Sequence, residues 1–239
     1  MLPQMIRFFL PIWFVAVFLP LAAPAQSLQV DLELVLAIDA SSSVDPGEFR
    51  LQMGGIATAF RQPRVWQAIR DGATGRIAVA IVIWADATIP KAETEWIVIS
   101  SEADALAFAD LAGSLQRDVV GGTGIGDGLA VAMRKFDRNG ITGLRQVVDV
   151  SGDGRETPPR EIVVTMPTAR SMALSRGVTI NGLAILNEDE TLGNWYRNHV
   201  IVGPQSFVIA VRDFDDFAAA MIRKLIREIE DRPKVGMLP

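Results

Sequence analysis

The chain has 239 residues, 49% apolar and 21% charged, with no cysteine and a single histidine. That length suits one large α/β domain, and the apolar content supports a sizeable core and excludes bulk disorder. A net charge of -5 gives no electrostatic case for nucleic acid or anionic lipid as a partner, and the missing thiols exclude disulfides and disfavour zinc and iron–sulfur centres.

Residues 1–25 differ from the rest. Arg7 precedes an apolar run over 8–22, broken by Pro11 and Pro20 and followed by Ala23-Pro24-Ala25. This is the pattern of a signal peptide cleaved near Ala25, and its apolar run is short for a membrane span. Loss of Arg7 leaves 22 of the 23 basic residues against 28 acidic ones, so the expected net charge moves from -5 to -6. The expected product is periplasmic or secreted, without stable membrane insertion. It consists of a domain over 26–231 and a flexible tail over 232–239.

Apolar runs of strand length then alternate with segments of helical period, as βαβ units require. A strand over 32–38 ends at Asp39, and Asp45-Pro46 opens a helix to about Arg61, with Asp45 as N-cap. Residues 76–84 form a near-continuous run of Ile, Val and Ala, as a strand covered on both faces should. An edge strand over 95–99 follows, then a helix from Ser101 to about Leu115, with Glu102 and Asp104 in its first turn. Helices are expected over 125–137, 158–176 and 213–230, and strands over 146–150, 178–186 and 206–211. Residues 187–204 read as a loop or short helix on one rim. The fold class is therefore a doubly wound, Rossmann-like α/β domain with a six-stranded, mostly parallel sheet and helices on both faces.

The residues that carry chemistry stand at strand ends. Asp39, Ser41 and Ser43 fit D-x-S-x-S after the first strand, and open α/β sheets place ligands outside the carboxyl ends of their strands. Gly121-Gly122-Thr123-Gly124-Ile125-Gly126 sets one hydroxyl, Thr123, among glycines that permit a tight path. The strand at Val147-Val148-Asp149-Val150 runs into Ser151-Gly152-Asp153-Gly154, which presents Asp153. Two carboxylates and three hydroxyls suit Mg²⁺ or Mn²⁺, hard ions that take about six oxygen ligands. A site without a third protein carboxylate leaves a position for an Asp or Glu of a partner protein.

These three segments, DASSS, GGTGIG and SGDG, resemble in order the metal-ion-dependent adhesion site (MIDAS) of von Willebrand factor type A (VWA) domains. The resemblance covers about residues 32–230, including the closing pattern Phe207-Val208-Ile209-Ala210-Val211 and Asp213-Phe214-Asp215. It extends to an exported bacterial subfamily of VWA proteins without assigned function. It implies that Asp39, Ser41, Ser43, Thr123 and Asp153 hold the metal, directly or through water, in a binding module that is not an enzyme. Gly152 is a departure, since many members have Thr or Ser ahead of the last aspartate.

Other readings fare worse. Asp149-x-Ser151-x-Asp153-Gly154 begins like an EF-hand loop, but the twelfth position is Arg160 and a strand precedes it. The glycine loop lacks the Walker Gly-Lys-Ser/Thr ending and the G-x-G-x-x-G spacing. No G-x-S-x-G or S-x-x-K motif occurs, and His199 is the sole imidazole and reads as a surface residue. A metal-dependent phosphoesterase at the same rim is the alternative function, though no nucleophile or base for it can be named. Trp66, Trp84, Trp96 and Trp195 read as core or rim anchors, and Trp195 with Tyr196 as an alternative partner-binding patch.

Overall fold

Two strands without a solvent-facing residue organise the molecule: β2 (Leu32–Asp39) and β3 (Ile77–Trp84) are buried along their whole length. In a computed structural model of the chain, residues 27–158 and 163–231 are described. The expected signal peptide and the whole of the expected tail lie outside them. Ahead of β2 runs β1 (Leu28–Val30), and after it come α1 (Pro46–Phe60) and α2 (Pro63–Arg70). Beyond β3 lie β4 (Ala92–Glu93), β5 (Ile97–Ile99), α3 (Glu102–Ser114) and α4 (Ile125–Arg134). The second half contains β6 (Ile141–Gly143), β7 (Gln146–Gly152), α5 (Met166–Arg176), β8 (Thr179–Ile185), α6 (Leu192–His199) and β9 (Val208–Val211). A 3₁₀ turn (Phe214–Asp216) and α7 (Phe217–Glu230) close the chain.

The main sheet runs β4-β3-β2-β7-β8-β9, parallel except at its β4 edge. It is six positions wide, as expected, but the antiparallel edge is shared by β4 and β5, both pairing β3, so it holds seven strands. A second, two-stranded sheet joins β1 to β6. Chain order reverses between β2 and β7, and the crevice at their carboxyl ends is where such folds bind ligands.

Strand alternation sorts the core into two layers. Leu32, Leu34, Leu36 and Ile38 pack with Phe49, Met53, Phe60, Phe108, Phe217 and Met221 beneath α1, α3 and α7. Val35 and Ala37 face Leu129, Met133, Ala169, Leu192 and Tyr196 beneath α4, α5 and α6. Glu33 survives in the apolar β2 because Asn139, Gly143 and Gln146 all donate to its carboxylate. No helix among the described residues is long and apolar enough to cross a membrane.

Some element bounds differ from expectation. Of the helix expected over 158–176, residues 159–162 lie outside the described residues, and α5 begins at Met166, where the extended Thr165 is the N-cap and a proline occupies the first turn. Residues 187–204 contain α6, which buries Leu192, Gly193 and Tyr196. The 15 residues of α1 begin with a capping box: Asp45 accepts from the backbone N–H groups of Gly47 and Glu48, while Glu48 accepts from the N–H of Asp45.

Close helix packing depends on Gly55, where a Cβ would lie 2.6 Å from Phe217 Cδ1 and 3.1 Å from the Ala218 backbone. Gly55→Ala is expected to destabilise the protein by about 1–3 kcal/mol, exceeding the helix-propensity gain of about 1 kcal/mol. A urea midpoint equal to that of the wild type, at the same slope, would refute a fixed α1–α7 separation.

Candidate functional site

The first loop leaves β2 at Asp39 and is held in place before any ligand is considered. Ala40 N–H donates to Trp84 O at 2.8 Å, and Ser42 N–H donates to Gly121 O at 2.8 Å, which pins the first loop to the glycine loop. Gln52, wholly buried on α1, donates to Asp39 O at 3.0 Å and pairs with Ser151 Oγ at 3.2 Å, so one amide spans β2 and β7. Arg117 donates to Ser41 O at 2.8 Å.

Within that frame the side chains meet. Ser41 N–H donates to Asp39 Oδ1 at 2.7 Å, the hydroxyls of Ser41 and Ser43 lie 3.2 Å apart, and Ser43 Oγ donates to Asp153 Oδ1 at 2.7 Å. Thr123 belongs to the same cluster, because a Cβ placed on Gly154 would be 3.6 Å from Thr123 Oγ1 and 4.0 Å from Ser43 Oγ. The glycine and third loops are also joined directly. Thr157 N–H donates to Thr123 O at 2.8 Å, and Thr123 N–H donates to Thr157 Oγ1 at 3.0 Å. All five residues singled out in the sequence thus gather at the crevice between β2 and β7.

Gly152 is explained by what surrounds it. A Cβ there would lie 2.7 Å from both Asp39 Oδ2 and the Tyr196 hydroxyl, so a Thr or Ser would collide with the cluster it is meant to support. Glycine ends β7 and lets Asp153 turn back to Ser43.

The electrostatics are unbalanced. Asp39 and Asp153 are almost wholly buried, and each has one oxygen, Oδ2, without a hydrogen-bond partner among the described residues. Burial first, and the neighbouring Asp153 second, push the Asp39 carboxyl up to about 7 against the hydrogen bonds from Ser41. Burial also raises Asp153, with Glu188 and Glu48 adding to it and the Ser43 hydrogen bond opposing. Two desolvated carboxylates facing hydroxyls are the donor set of a hard cation. Among the described residues no three or more carboxylate or imidazole groups are arranged to hold a metal; the cluster here offers two carboxylates and three hydroxyls.

Three contributors escape a reading by motif. Gln52 is one. Glu156 is another: it accepts from Gly126 N–H at 3.0 Å at the start of α4, and burial raises its carboxyl to about 7. Tyr196 is the third, buried beneath the cluster, so Trp195 and Tyr196 do not form the surface aromatic patch considered above. Burial, then Asp39, Asp153 and Glu156, hold the Tyr196 hydroxyl well above its ordinary pKa. His199 lies exposed at the end of α6, its ring 5.3 Å from that of Trp195.

Comparison with known proteins places this geometry. A family described as "Protein of unknown function (DUF1194)" matches residues 29–233. No curated protein matches the chain. Among solved structures, proximal thread matrix protein 1 from the mussel byssus is similar at 19% identity and TM-score 0.55, over 85% of this chain and 47% of its own. That mussel protein has also been solved with a zinc-occupied MIDAS motif. The pilus adhesin SpaC from Lactobacillus rhamnosus GG, in an open conformation, is similar at 14% identity and TM-score 0.57, over 85% of this chain and 31% of its own. The vWF domain of the type V pili tip protein Mfa5 from Porphyromonas gingivalis is similar at 13% identity and TM-score 0.53, over 86% of this chain and 98% of its own. This chain thus spans about half of the mussel protein and a third of the adhesin. These likenesses show a VWA-type α/β fold.

Proposed function

The chain belongs to the DUF1194 family and has the VWA fold, and from that premise we propose that it is an exported, metal-dependent protein-binding module. Asp39, Ser41, Ser43, Thr123 and Asp153 hold Mg²⁺ or Mn²⁺, directly or through water. When bound, the ion offers a coordination position to an Asp or Glu carboxylate of a partner protein. The observation that carries this reading is the pair of buried carboxylates, each with an oxygen that has no partner among the described residues, joined through Ser41 and Ser43 at the sheet's switch point. Without a cation that arrangement is costly, and with one the two charges are matched.

An all-oxygen donor set favours hard ions by chemistry. The adhesin and pilus-tip neighbours lend the binding reading support by fold alone, and no observation favours a phosphoesterase. Export rests on the residues before Gln26, including Arg7 and Ala25.

The test is capture of partners from the native envelope by the immobilised protein. A specific protein is expected to be retained in Mg²⁺ and released by EDTA. Equal retention in both conditions would refute metal-dependent binding.

A further inference from the structure

Tyr196 presents an unexplained polar atom. Its side chain is wholly buried, and its hydroxyl has no hydrogen-bond partner among the described residues. The ring itself is well accommodated: a Cβ on Gly182 would come within 2.8 Å of Tyr196 Cδ1, so that glycine on β8 admits the aromatic face. Phenylalanine would fill the same space. A buried hydroxyl without a partner is destabilising, so packing alone does not account for the oxygen.

The hydroxyl is directed at the carboxylate cluster. One point, where a Cβ on Gly152 would stand, lies 2.7 Å from both Tyr196 OH and Asp39 Oδ2. That Asp39 oxygen is the one without a partner, while Oδ1 is engaged by Ser41 N–H. A donor and an acceptor, each without a partner among the described residues, therefore flank one point, close enough for one water to bridge them or a small shift to join them. Trp84, the lateral partner of Asp39 on β3, likewise has a buried indole N–H without a partner among the described residues. A metal-binding carboxylate is commonly oriented by such outer donors.

Resting on the metal-binding reading above, we propose that Tyr196 is a positioning residue of the cation site, its hydroxyl donating from α6 to Asp39 Oδ2 and fixing that carboxylate toward the ion. It acts through Asp39 and contacts neither metal nor partner. Two glycines on neighbouring strands, Gly152 and Gly182, clear the path for it.

Tyr196 is the chain's only tyrosine, so ¹³Cζ-tyrosine labelling of the full-length protein yields one reporter resonance. Addition of Mg²⁺ is expected to shift that resonance in the wild type and to leave it unmoved in Asp39→Asn. Calorimetric titration with Mg²⁺ should show Tyr196→Phe binding about tenfold more weakly. Its metal-free melting temperature should be unchanged or raised, because without the ion the hydroxyl has no hydrogen-bond partner among the described residues, and its bond to Asp39 forms once the ion orients that carboxylate. Wild-type affinity in Tyr196→Phe, or equal loss of melting temperature with and without Mg²⁺, would overturn the assignment while leaving the metal site standing. A wild-type protein that binds neither Mg²⁺ nor Mn²⁺ would overturn both readings.

Discussion

Asp39→Asn is expected to lower Mg²⁺ affinity by about a thousandfold and, at pH 8 without metal, to stabilise the protein by about 1–3 kcal/mol. The first effect follows from Coulomb's law. Two unit charges about 4 Å apart interact by about 4 kcal/mol at an effective dielectric of about 20, a lower bound for a dication, and each 1.4 kcal/mol is about tenfold. The second follows from burial, since Asp39 is wholly enclosed, bears one oxygen without a partner among the described residues and faces Asp153. The amide keeps its volume and removes its charge.

Acidity separates this electrostatic cost from a packing defect. The Asp39 carboxyl sits at about 7 when folded, against about 4 in an unfolded chain, so the folded state holds the proton more tightly. Its contribution to stability is complete below about pH 4 and is lost as pH rises through about 7. Metal-free wild type should therefore fall behind Asp39→Asn as the pH is raised, and the gap should close with saturating Mg²⁺ bound to the wild type alone. Calorimetric titration and thermal melts across that range read both effects. Undiminished Mg²⁺ affinity in the variant would remove Asp39 from the site.

The parts of this molecule that could be read in advance are those where neighbouring residues carry the signal. The buried strands announce themselves because both sheet faces are covered, which leaves β3 as IAVAIVIW with no polar alternation. The cluster of oxygen donors proposed as the cation site is legible because its residues come in three short motifs, each at a strand end or helix start. Elements held by distant contacts are not legible. The three-residue β1 and β6 are too short to show a period, and α2 follows α1 after only Arg61 and Gln62. In α6, polar Asn194, Arg197 and Asn198 obscure the buried stripe of Leu192 and Tyr196. Gln52, Glu156 and Tyr196 support the site across the fold, from positions that no local spacing marks.

The same limit hides a buried charge network midway along β7, whose disruption carries the largest expected loss of stability. Lys224 and Glu228 stand one turn apart on the amphipathic α7, a spacing typical of a solvent-exposed pair. Both are instead buried against Asp149, with Lys224 Nζ 2.7 Å from Asp149 Oδ1 and 2.7 Å from Glu228 Oε1. Asn181 on β8 donates to Glu228 Oε1 at 2.8 Å and accepts from Phe207 N–H at 3.1 Å, so the network joins α7, β7 and β8. Arg145 donates to the Glu228 backbone carbonyl at 2.5 Å. One ammonium thus serves two carboxyls. Burial, followed by Glu228, raises the Asp149 carboxyl, and Lys224 opposes that rise. Lys224→Met keeps the stem but leaves two acids without their cation, an error that costs about 3–5 kcal/mol in buried pairs. For a domain of this size that is a fall of roughly 10 °C in melting temperature at pH 8. Protonation of Asp149 should return part of the loss at pH 5, because a carboxyl raised in the folded state contributes stability that is complete below its unfolded value and is lost as pH rises through its folded one. Adding Glu228→Gln to the variant should recover stability at pH 8 for the same reason. Melting within 2 °C of the wild type at pH 8 would show that Lys224 does not neutralise this pair.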